Sequence, residues 1–81
     1  MELTKREIEV LQLMAHGLVV RQIATTLDIK YNTAASYVRN IYDKFGVKNR
    51  VEAVSIGYAR GVIENPQIVV EQIIKEMQNA N

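Results

Sequence analysis

Residues 21–45 read RQIATTLDIKYNTAASYVRNIYDKF and predict a short helix, a turn and a longer helix. Ile23, Ala24 and Leu27 recur at helical spacing, and the segment DIKYN then interrupts the pattern with turn-forming residues. In the longer helix the apolar positions fall three and four residues apart, which places them on one side: Ala34, Tyr37, Val38, Ile41 and Phe45. The stretch therefore predicts two helices that meet at a turn, the second of them buried along one side.

The other side of the longer helix carries small and polar side chains, with one arginine near its middle: Asn32, Ala35, Ser36, Arg39, Asn40 and Asp43. A helix that is buried on one side and presents such a surface outward can enter the major groove of DNA. An ordinary solvated helix would present the same kind of surface. Both interpretations stay open on these residues alone.

Composition restricts the classes of function that are open to the chain. Its 81 residues suffice for one domain, and they contain no run of about 18 apolar residues that would span a membrane. There is no cysteine and only one histidine, His16, so disulfides, thiolate metal sites and histidine-pair metal sites are excluded. We therefore predict no metal, no cofactor and no membrane partner. The opening MELTKRE has no signal-peptide core, and we expect a cytoplasmic location.

The net charge of +1 conceals an uneven distribution along the chain. Residues 19–50 hold six basic and two acidic groups, a balance of +4, whereas residues 61–81 hold one basic and three acidic groups, a balance of −2. The middle of the chain could face phosphates, and its end would not. An imbalance of this size is also found on ordinary solvated surfaces.

Capping residues predict the first two helices. Thr4 and Glu7 have the spacing of a capping box, and Gly17 can supply the left-handed residue that ends the first helix. The second helix is expected over residues 20–27. It is too short to be stable alone and must pack on its neighbours.

The third and fourth helices have their own boundary signals. Asn32 is the better side-chain cap for the third helix, with a true start nearer Lys30 as the alternative, and Gly46 predicts its end. Asn49 caps the fourth helix. Gly57, in the middle of the fourth helix, lowers helix stability by up to about 1 kcal/mol relative to alanine. Close approach of another helix would explain why a glycine stands at this position.

A fifth helix is predicted after Asn65 and Pro66, which suit the cap and the first helical position. It carries a continuous apolar stripe: Val69, Val70, Ile73, Ile74 and Met77. The stripe could pack on the domain's own core, or it could form a surface for a dimer or another partner. The pattern favours neither alternative.

Three segments in order resemble a known family: LTKREIEVLQLMAHGL, RQIATTLDI and TAASYVRNIYDKFGVKNRVEAV. They are similar to the LuxR/GerE-type helix-turn-helix domain, and the resemblance covers about residues 3–63. It implies an all-α fold of four helices over residues 1–63, with the third as recognition helix over about 32–45. Residues 64–81 would be an extra C-terminal amphipathic helix. The chain would be either a stand-alone, GerE-like regulator or a domain cut from a longer protein.

The resemblance also implies roles for residues. Arg21 and Lys44 match positions that lie by the DNA backbone, and the recognition-helix positions that meet DNA are Thr33, Ala35, Ser36 and Arg39. With the neighbouring basic and polar groups, the predicted DNA-binding residues are Arg21, Lys30, Tyr31, Asn32, Thr33, Ala35, Ser36, Arg39, Asn40, Lys44 and Lys48. The predicted dimer interface consists of Val51, Val54 and Tyr58 in the fourth helix and Val70, Ile73, Ile74 and Met77 in the fifth.

The chain also departs from the family pattern at several positions. Ala34-Ala35 stands where valine-lysine is usual, Tyr37 where histidine is common, Asp43 where a basic residue is frequent, and Val19-Val20 where a polar pair usually caps the second helix. Each lost phosphate contact lowers the affinity for DNA.

Two functions follow from these observations. The first is a homodimeric regulator that binds double-stranded DNA in a sequence-specific manner. The second is a protein-interaction module that pairs with another LuxR-type regulator and antagonises it. RNA polymerase is a further candidate partner. An enzyme is not predicted, because the sequence has no phosphate-binding glycine loop and no nucleophile–base pair.

Overall fold

Helices make up the regular structure of the protein. A computed structural model describes residues 2–64 and 73–78, and within them the four principal helices are α1 (Lys5–Ala15), α2 (Val20–Leu27), α3 (Tyr31–Phe45) and α4 (Arg50–Ala59). Residues 73–78 form a further helical stretch, which we name the C-terminal helix. No strand occurs in this described part, and the predicted all-α class is confirmed.

The predicted caps of α1 and α4 are present. The Glu7 N–H donates to Thr4 Oγ1 at 3.2 Å, and the Thr4 N–H donates to Glu7 Oε1 at 2.8 Å, so the capping box is complete. The Glu52 N–H donates to Asn49 Oδ1 at 2.9 Å and caps α4 in the same way. These bonds satisfy amide groups that have no partner inside the helix.

A turn of three residues, 28–30, joins α2 to α3. Asp28 adopts the left-handed conformation at φ 54°, and the Ile29 N–H donates to the Ala24 carbonyl at 2.9 Å, which closes the end of α2. Lys30 is extended, so α3 begins at Tyr31. Asn32 is therefore not the cap, because it already lies in the first turn of α3. The alternative start near Lys30 is confirmed, since Lys30 holds the N-cap position.

The start of α2 is capped from inside the helix. Val19 has no side chain that could accept a hydrogen bond, and Gln22 Oε1 accepts instead from the Val19 N–H at 2.9 Å. This bond satisfies the Val19 N–H, whereas the N–H groups of the first turn of α2 receive no side-chain cap from Val19.

The core lies between α1 and the three other helices. It consists of Val10, Leu11, Met14, Ile23, Ala24, Ala34, Ile41, Phe45, Ala53 and Ile63. α1 packs on α3, α4 and α2, and α2 packs on α3. This arrangement holds the α2–α3 pair on the rest of the domain while leaving one side of α3 uncovered.

Gly57 lies where α4 crosses α1. A Cβ atom at this position would come within 2.9 Å of Leu11 Cδ2 and within 3.0 Å of Ile63 Cδ1. The close approach predicted from the sequence is confirmed, and it comes from side chains of α1 and of the segment after α4.

The C-terminal extension is described only in part. Ile73, Ile74 and Met77 lie in the C-terminal helix and are exposed. The predicted start of this helix at Asn65 and Pro66, and the predicted interface residue Val70, lie outside the described residues. The division into residues 1–63 and 64–81 stays a prediction.

Candidate nucleic-acid interface

The outward side of α3 is the surface that the sequence singled out for DNA. Its inward residues Ala34, Ile41 and Phe45 are buried in the core. Its outward residues Asn32, Ser36, Arg39, Asn40 and Asp43 are exposed, with the small Ala35 half-buried among them. The buried residues and the exposed residues therefore lie on opposite sides of α3, as the apolar periodicity predicts.

This outward side presents several hydrogen-bonding groups of different kinds. Arg39 offers the donors of its guanidinium group, and Asn32 and Asn40 each offer an amide that donates and accepts. Ser36 Oγ donates to the Asn32 carbonyl at 2.9 Å, which leaves the hydroxyl oxygen free to accept. Such a mixture can distinguish the donor and acceptor patterns of base edges in a major groove.

The N-terminus of α3 adds unsatisfied backbone donors to the same end of the helix. Tyr31, Asn32 and Thr33 are exposed, and Lys30 makes no side-chain capping bond. The first bond into the helix runs from the Ala34 N–H to the Lys30 carbonyl at 3.0 Å, so the N–H groups of residues 31–33 precede the helical ladder. Free N–H groups at a helix N-terminus favour an anion such as phosphate.

Four of the five basic side chains predicted to bind DNA are exposed: Arg21, Lys30, Arg39 and Lys48. Over residues 2–64 and 73–78 the ion pairs are Arg6–Glu9 and Lys44–Glu7, so none of the four has an acidic partner there. Arg21 lies in the first turn of α2, and Lys48 lies between α3 and α4.

Lys44 differs from these four residues. Its Nζ lies 2.7 Å from Glu7 Oε1 and 3.3 Å from the Glu2 carbonyl, and Glu7 is 3% exposed. Burial acts to raise the pKa of the Glu7 carboxyl, but hydrogen bonds from Lys44 and Thr4 outweigh it and hold that pKa below its usual value. Its ammonium group is therefore paired at the start of α1, unlike the four exposed cations.

Arg50 is the residue that the sequence reasoning missed. In the sequence it is one of the six basic groups of residues 19–50, but in the fold its guanidinium donates to the Met14 carbonyl and, at 2.6 Å, to the Leu18 carbonyl. These bonds attach the start of α4 to the turn between α1 and α2. The acceptors lie 36 and 32 residues away in the sequence, so no local pattern predicts them.

The predicted dimer residues of α4 form a partly apolar outer surface. Val51 is 75% exposed, Val54 and Tyr58 are half-buried, and the small Ser55 is exposed between them. Isolated apolar residues are common on protein surfaces, but three of them at helical spacing form a stripe that another helix could cover.

Two further properties of the described part concern other classes of function. No three histidine, cysteine, aspartate or glutamate side chains there are placed to hold a metal ion. Of the helices in the same residues, none has the length and apolar character needed to cross a bilayer.

Comparison with known proteins identifies the domain. Residues 1–56 match the family model described as bacterial regulatory proteins, luxR family. The chain is 44% identical over 59 residues to the transcriptional regulatory protein DesR of Bacillus subtilis, and it is 46% identical over 52 residues to the HTH-type transcriptional regulator MalT of Yersinia pestis. These alignments cover 73% and 64% of this chain.

A solved structure agrees with the fold. The crystal structure of the response regulator ChrA, from a heme-sensing two-component system, superposes with a TM-score of 0.74 and 38% sequence identity over 78% of this chain. The chain spans only part of these relatives: 30% of DesR, 6% of MalT and 31% of ChrA. The helix order, the uncovered side of α3 and the family match agree, and the chain belongs to the LuxR family of bacterial regulatory proteins, which are DNA-binding transcription regulators.

Proposed function

We propose that this chain is a sequence-specific regulator of transcription that binds double-stranded DNA as a homodimer, with α3 in the major groove. The observation that carries the proposal is the outward side of α3, where Arg39 is exposed and has no acidic partner among the residues described, and Asn40 and Ser36 are exposed beside it. The proposed site of action is the cytoplasm, where a bacterial regulator meets its DNA.

In this proposal Arg39 is the main reader of bases. A guanidinium group matches the O6 and N7 acceptors of guanine in a bidentate manner. Asn32 and Asn40 suit adenine in the same way, and the Ser36 oxygen accepts from an exocyclic amine. Ala35, which is small and half-buried, allows the backbone of α3 to approach the floor of the groove.

Phosphate contacts would hold the helix in register. Arg21, Lys30 and Lys48 are exposed cations on the elements that precede and follow α3. The N-terminus of α3, with Tyr31 and Thr33 beside it, adds backbone donors. Such contacts supply affinity and orientation, while base contacts supply specificity.

Dimerisation would use the outer surface of α4. Val51, Val54 and Tyr58 would meet their counterparts across a two-fold axis, and the exposed Ser55 allows close approach. Two recognition helices related in this way bind half-sites about one helical turn apart. The apolar residues of the C-terminal helix would add to this interface.

Selection from a randomised duplex pool at low and moderate salt, with sequencing of the bound fraction, tests the proposal. We expect a palindromic motif. Arg39→Ala should weaken binding to that motif by about 1–3 kcal/mol, whereas Lys5→Ala, which removes an exposed charge from α1, should leave it unchanged. Equal affinity of Arg39→Ala and the parent for the selected site would remove Arg39 from the reading role.

A second candidate function rests on Asp43, which is exposed on the outward side of α3. A carboxylate at this place would repel phosphate and lower the affinity for DNA. The chain would then act by pairing with another LuxR-type regulator through α4, or by contacting RNA polymerase. Co-purification of a mixed dimer, together with no enriched motif in the pool, would favour this function over the first.

A further inference from the structure

The start of α2 has few local restraints. α2 is eight residues long, and a helix of this length is not stable alone. Val19 gives the first turn no side-chain cap, and Gly17, in the turn before it, adopts the left-handed conformation at φ 93°. The position of this first turn therefore depends on contacts with other parts of the fold.

Arg50 supplies such a contact from the start of α4. Its Nη2 atom carries two hydrogens and donates to two carbonyl groups, those of Met14 and Leu18. The Leu18 carbonyl lies outside the hydrogen bonding of α2, because the first bond into that helix runs from the Ile23 N–H to the Val19 carbonyl at 3.0 Å. A single nitrogen thus joins the last turn of α1 to the residue that precedes the N-cap of α2.

The charge of Arg50 also suits this place. The last turn of α1 contains no basic residue, and a cation near the C-terminal carbonyls of a helix interacts favourably with the helix dipole. Arg50 is half-buried, which reduces the screening of its two charge-assisted hydrogen bonds. Its neighbour Val51 is 75% exposed on the outer surface of α4. The first two residues of α4 therefore face different sides, one the turn between α1 and α2 and the other the proposed dimer surface.

The proposed phosphate contact of α2 lies three residues after the carbonyl that Arg50 binds at 2.6 Å. Arg21 is in the first turn of α2 and is exposed. Leu18 and Arg21 line the same shallow surface depression of about 370 Å³. A displacement of Leu18 would therefore displace Arg21, and a guanidinium group binds phosphate strongly only in a defined geometry.

We propose that Arg50 is a positioning residue for DNA binding: by holding the Leu18 carbonyl, it places the first turn of α2 so that Arg21 reaches a phosphate. This inference rests on the proposed function, and it gives Arg50 itself no contact with DNA. Because Arg50 is the first residue of α4, the same bonds connect the proposed dimer helix to the phosphate-binding end of α2 within one protomer.

Affinities of single and double variants for the duplex selected from the random pool test whether Arg50 acts through Arg21. Arg50→Met removes both donated bonds and should lower the affinity by about tenfold, close to the effect of Arg21→Ala. In the Arg21→Ala background the same change should lower the affinity by less than about twofold. In the Arg39→Ala background it should keep its full effect, because Arg39 lies on α3. Arg60→Met is the matched control, since it removes an exposed arginine at the other end of α4, and it should leave the affinity unchanged.

Two further readouts separate positioning from a general loss of stability. Arg50→Met and Arg21→Ala should each reduce the slope of log K against log salt by about 1 per protomer, and the double variant should reduce it no further. Arg50→Lys keeps the charge and a donor, so it should lower the affinity by less than about threefold. The comparison is made at a temperature at which circular dichroism shows every variant folded. If Arg50→Met does not fold, Arg50→Gln, which keeps an amide donor, takes its place.

The outcomes are distinct. Equal losses from Arg50→Met in the parent and in the Arg21→Ala background would overturn the proposal, and so would an unchanged affinity of Arg50→Met. A dimer Kd that rises in Arg50→Met as much as the DNA affinity falls would also overturn it, because Arg50 would then act through the dimer surface. If no duplex is enriched from the pool, the proposed function fails and this proposal fails with it. If a palindrome is enriched but the losses simply add, only the role of Arg50 is wrong.

Discussion

At the scale of single residues, the buried carboxylate of Glu7 connects two ends of the fold. It completes the capping box of α1 and accepts a hydrogen bond from Lys44 near the end of α3. Removal of one partner from a buried ion pair leaves the other uncompensated. Glu7→Gln should lower the free energy of unfolding by about 3 kcal/mol, at the low end of the usual range, because Lys44 keeps some contact with water.

The effect of Glu7→Gln should depend on pH in a definite direction. The folded-state pKa of Glu7 is depressed, so its stabilisation is complete above the pKa of the unfolded chain and is lost as pH falls through the folded-state pKa. Urea unfolding of parent and variant should therefore differ at pH 7 and converge as pH falls through the folded-state pKa of Glu7. Glu9→Gln, in the exposed pair with Arg6, is the control and should change little. A difference that persists at acid pH would show that the loss is not electrostatic.

Contacts that are local in the sequence could be predicted, and distant ones could not. The Thr4–Glu7 and Asn49–Glu52 caps follow from spacing alone, and both are present. Lys44 was predicted to lie by DNA, and Arg50 had no predicted role. The partners of Lys44 and Arg50 lie 32 or more residues away, and only the packing of the helices brings them together.

At the scale of helices, α4 packs tightly at Gly57. Alanine there would gain up to about 1 kcal/mol of helix propensity but would drive its Cβ into Leu11 and Ile63, at an overpacking penalty of about 1–3 kcal/mol. We expect Gly57→Ala to destabilise the domain by about 1 kcal/mol in urea unfolding. Asn40→Ala, at an exposed position of α3, should stabilise it. A gain of stability in Gly57→Ala would mean that Leu11 and Ile63 move aside without penalty.

The outer surface of α4 gives a prediction about assembly. Val51 is largely exposed in the single chain, so Val51→Ser should leave the unfolding midpoint of the monomer unchanged. The same change should raise the dimer Kd by about tenfold, the loss expected for one buried apolar side chain. Sedimentation equilibrium without DNA measures the dimer Kd of parent and variant, with Asn40→Ser as control. An unaltered Kd would exclude Val51 from the interface.

Helix positions were predictable to within about one residue because the apolar period and the capping residues agree. Among residues 2–64, Asn32 was preferred to Lys30 as the start of α3 because Asn32 is the better cap by chemistry. The left-handed Asp28 and the bond from Ile29 to Ala24 complete α2 early enough for α3 to begin at Tyr31. The outward side of α3 was predictable from the same periodicity, but the bases it contacts depend on DNA geometry that the chain does not encode.

At the scale of the whole molecule, positive charge is in excess over residues 19–50, which include the proposed DNA contact. Lys30, at the cap of α3, is assigned to phosphate, so Lys30→Ala should weaken binding to all sequences alike. It should reduce the slope of log K against log salt by about 1 per protomer, or about 2 for a dimer. Binding titrations over a range of salt concentrations measure this slope. Lys5→Ala should not change it, and a slope that is unchanged in Lys30→Ala would argue against the phosphate contact.

The separation of the two sides of α3 also has an evolutionary consequence. The residues that hold the helix on the core are not the residues that face outward, so mutations at the outward positions escape selection for folding. A duplicated copy of this domain could therefore acquire a new operator through substitutions on the outward side of α3 while keeping its core. Related regulators in one cell would diverge along the exposed side of this helix first, and their cores would stay interchangeable.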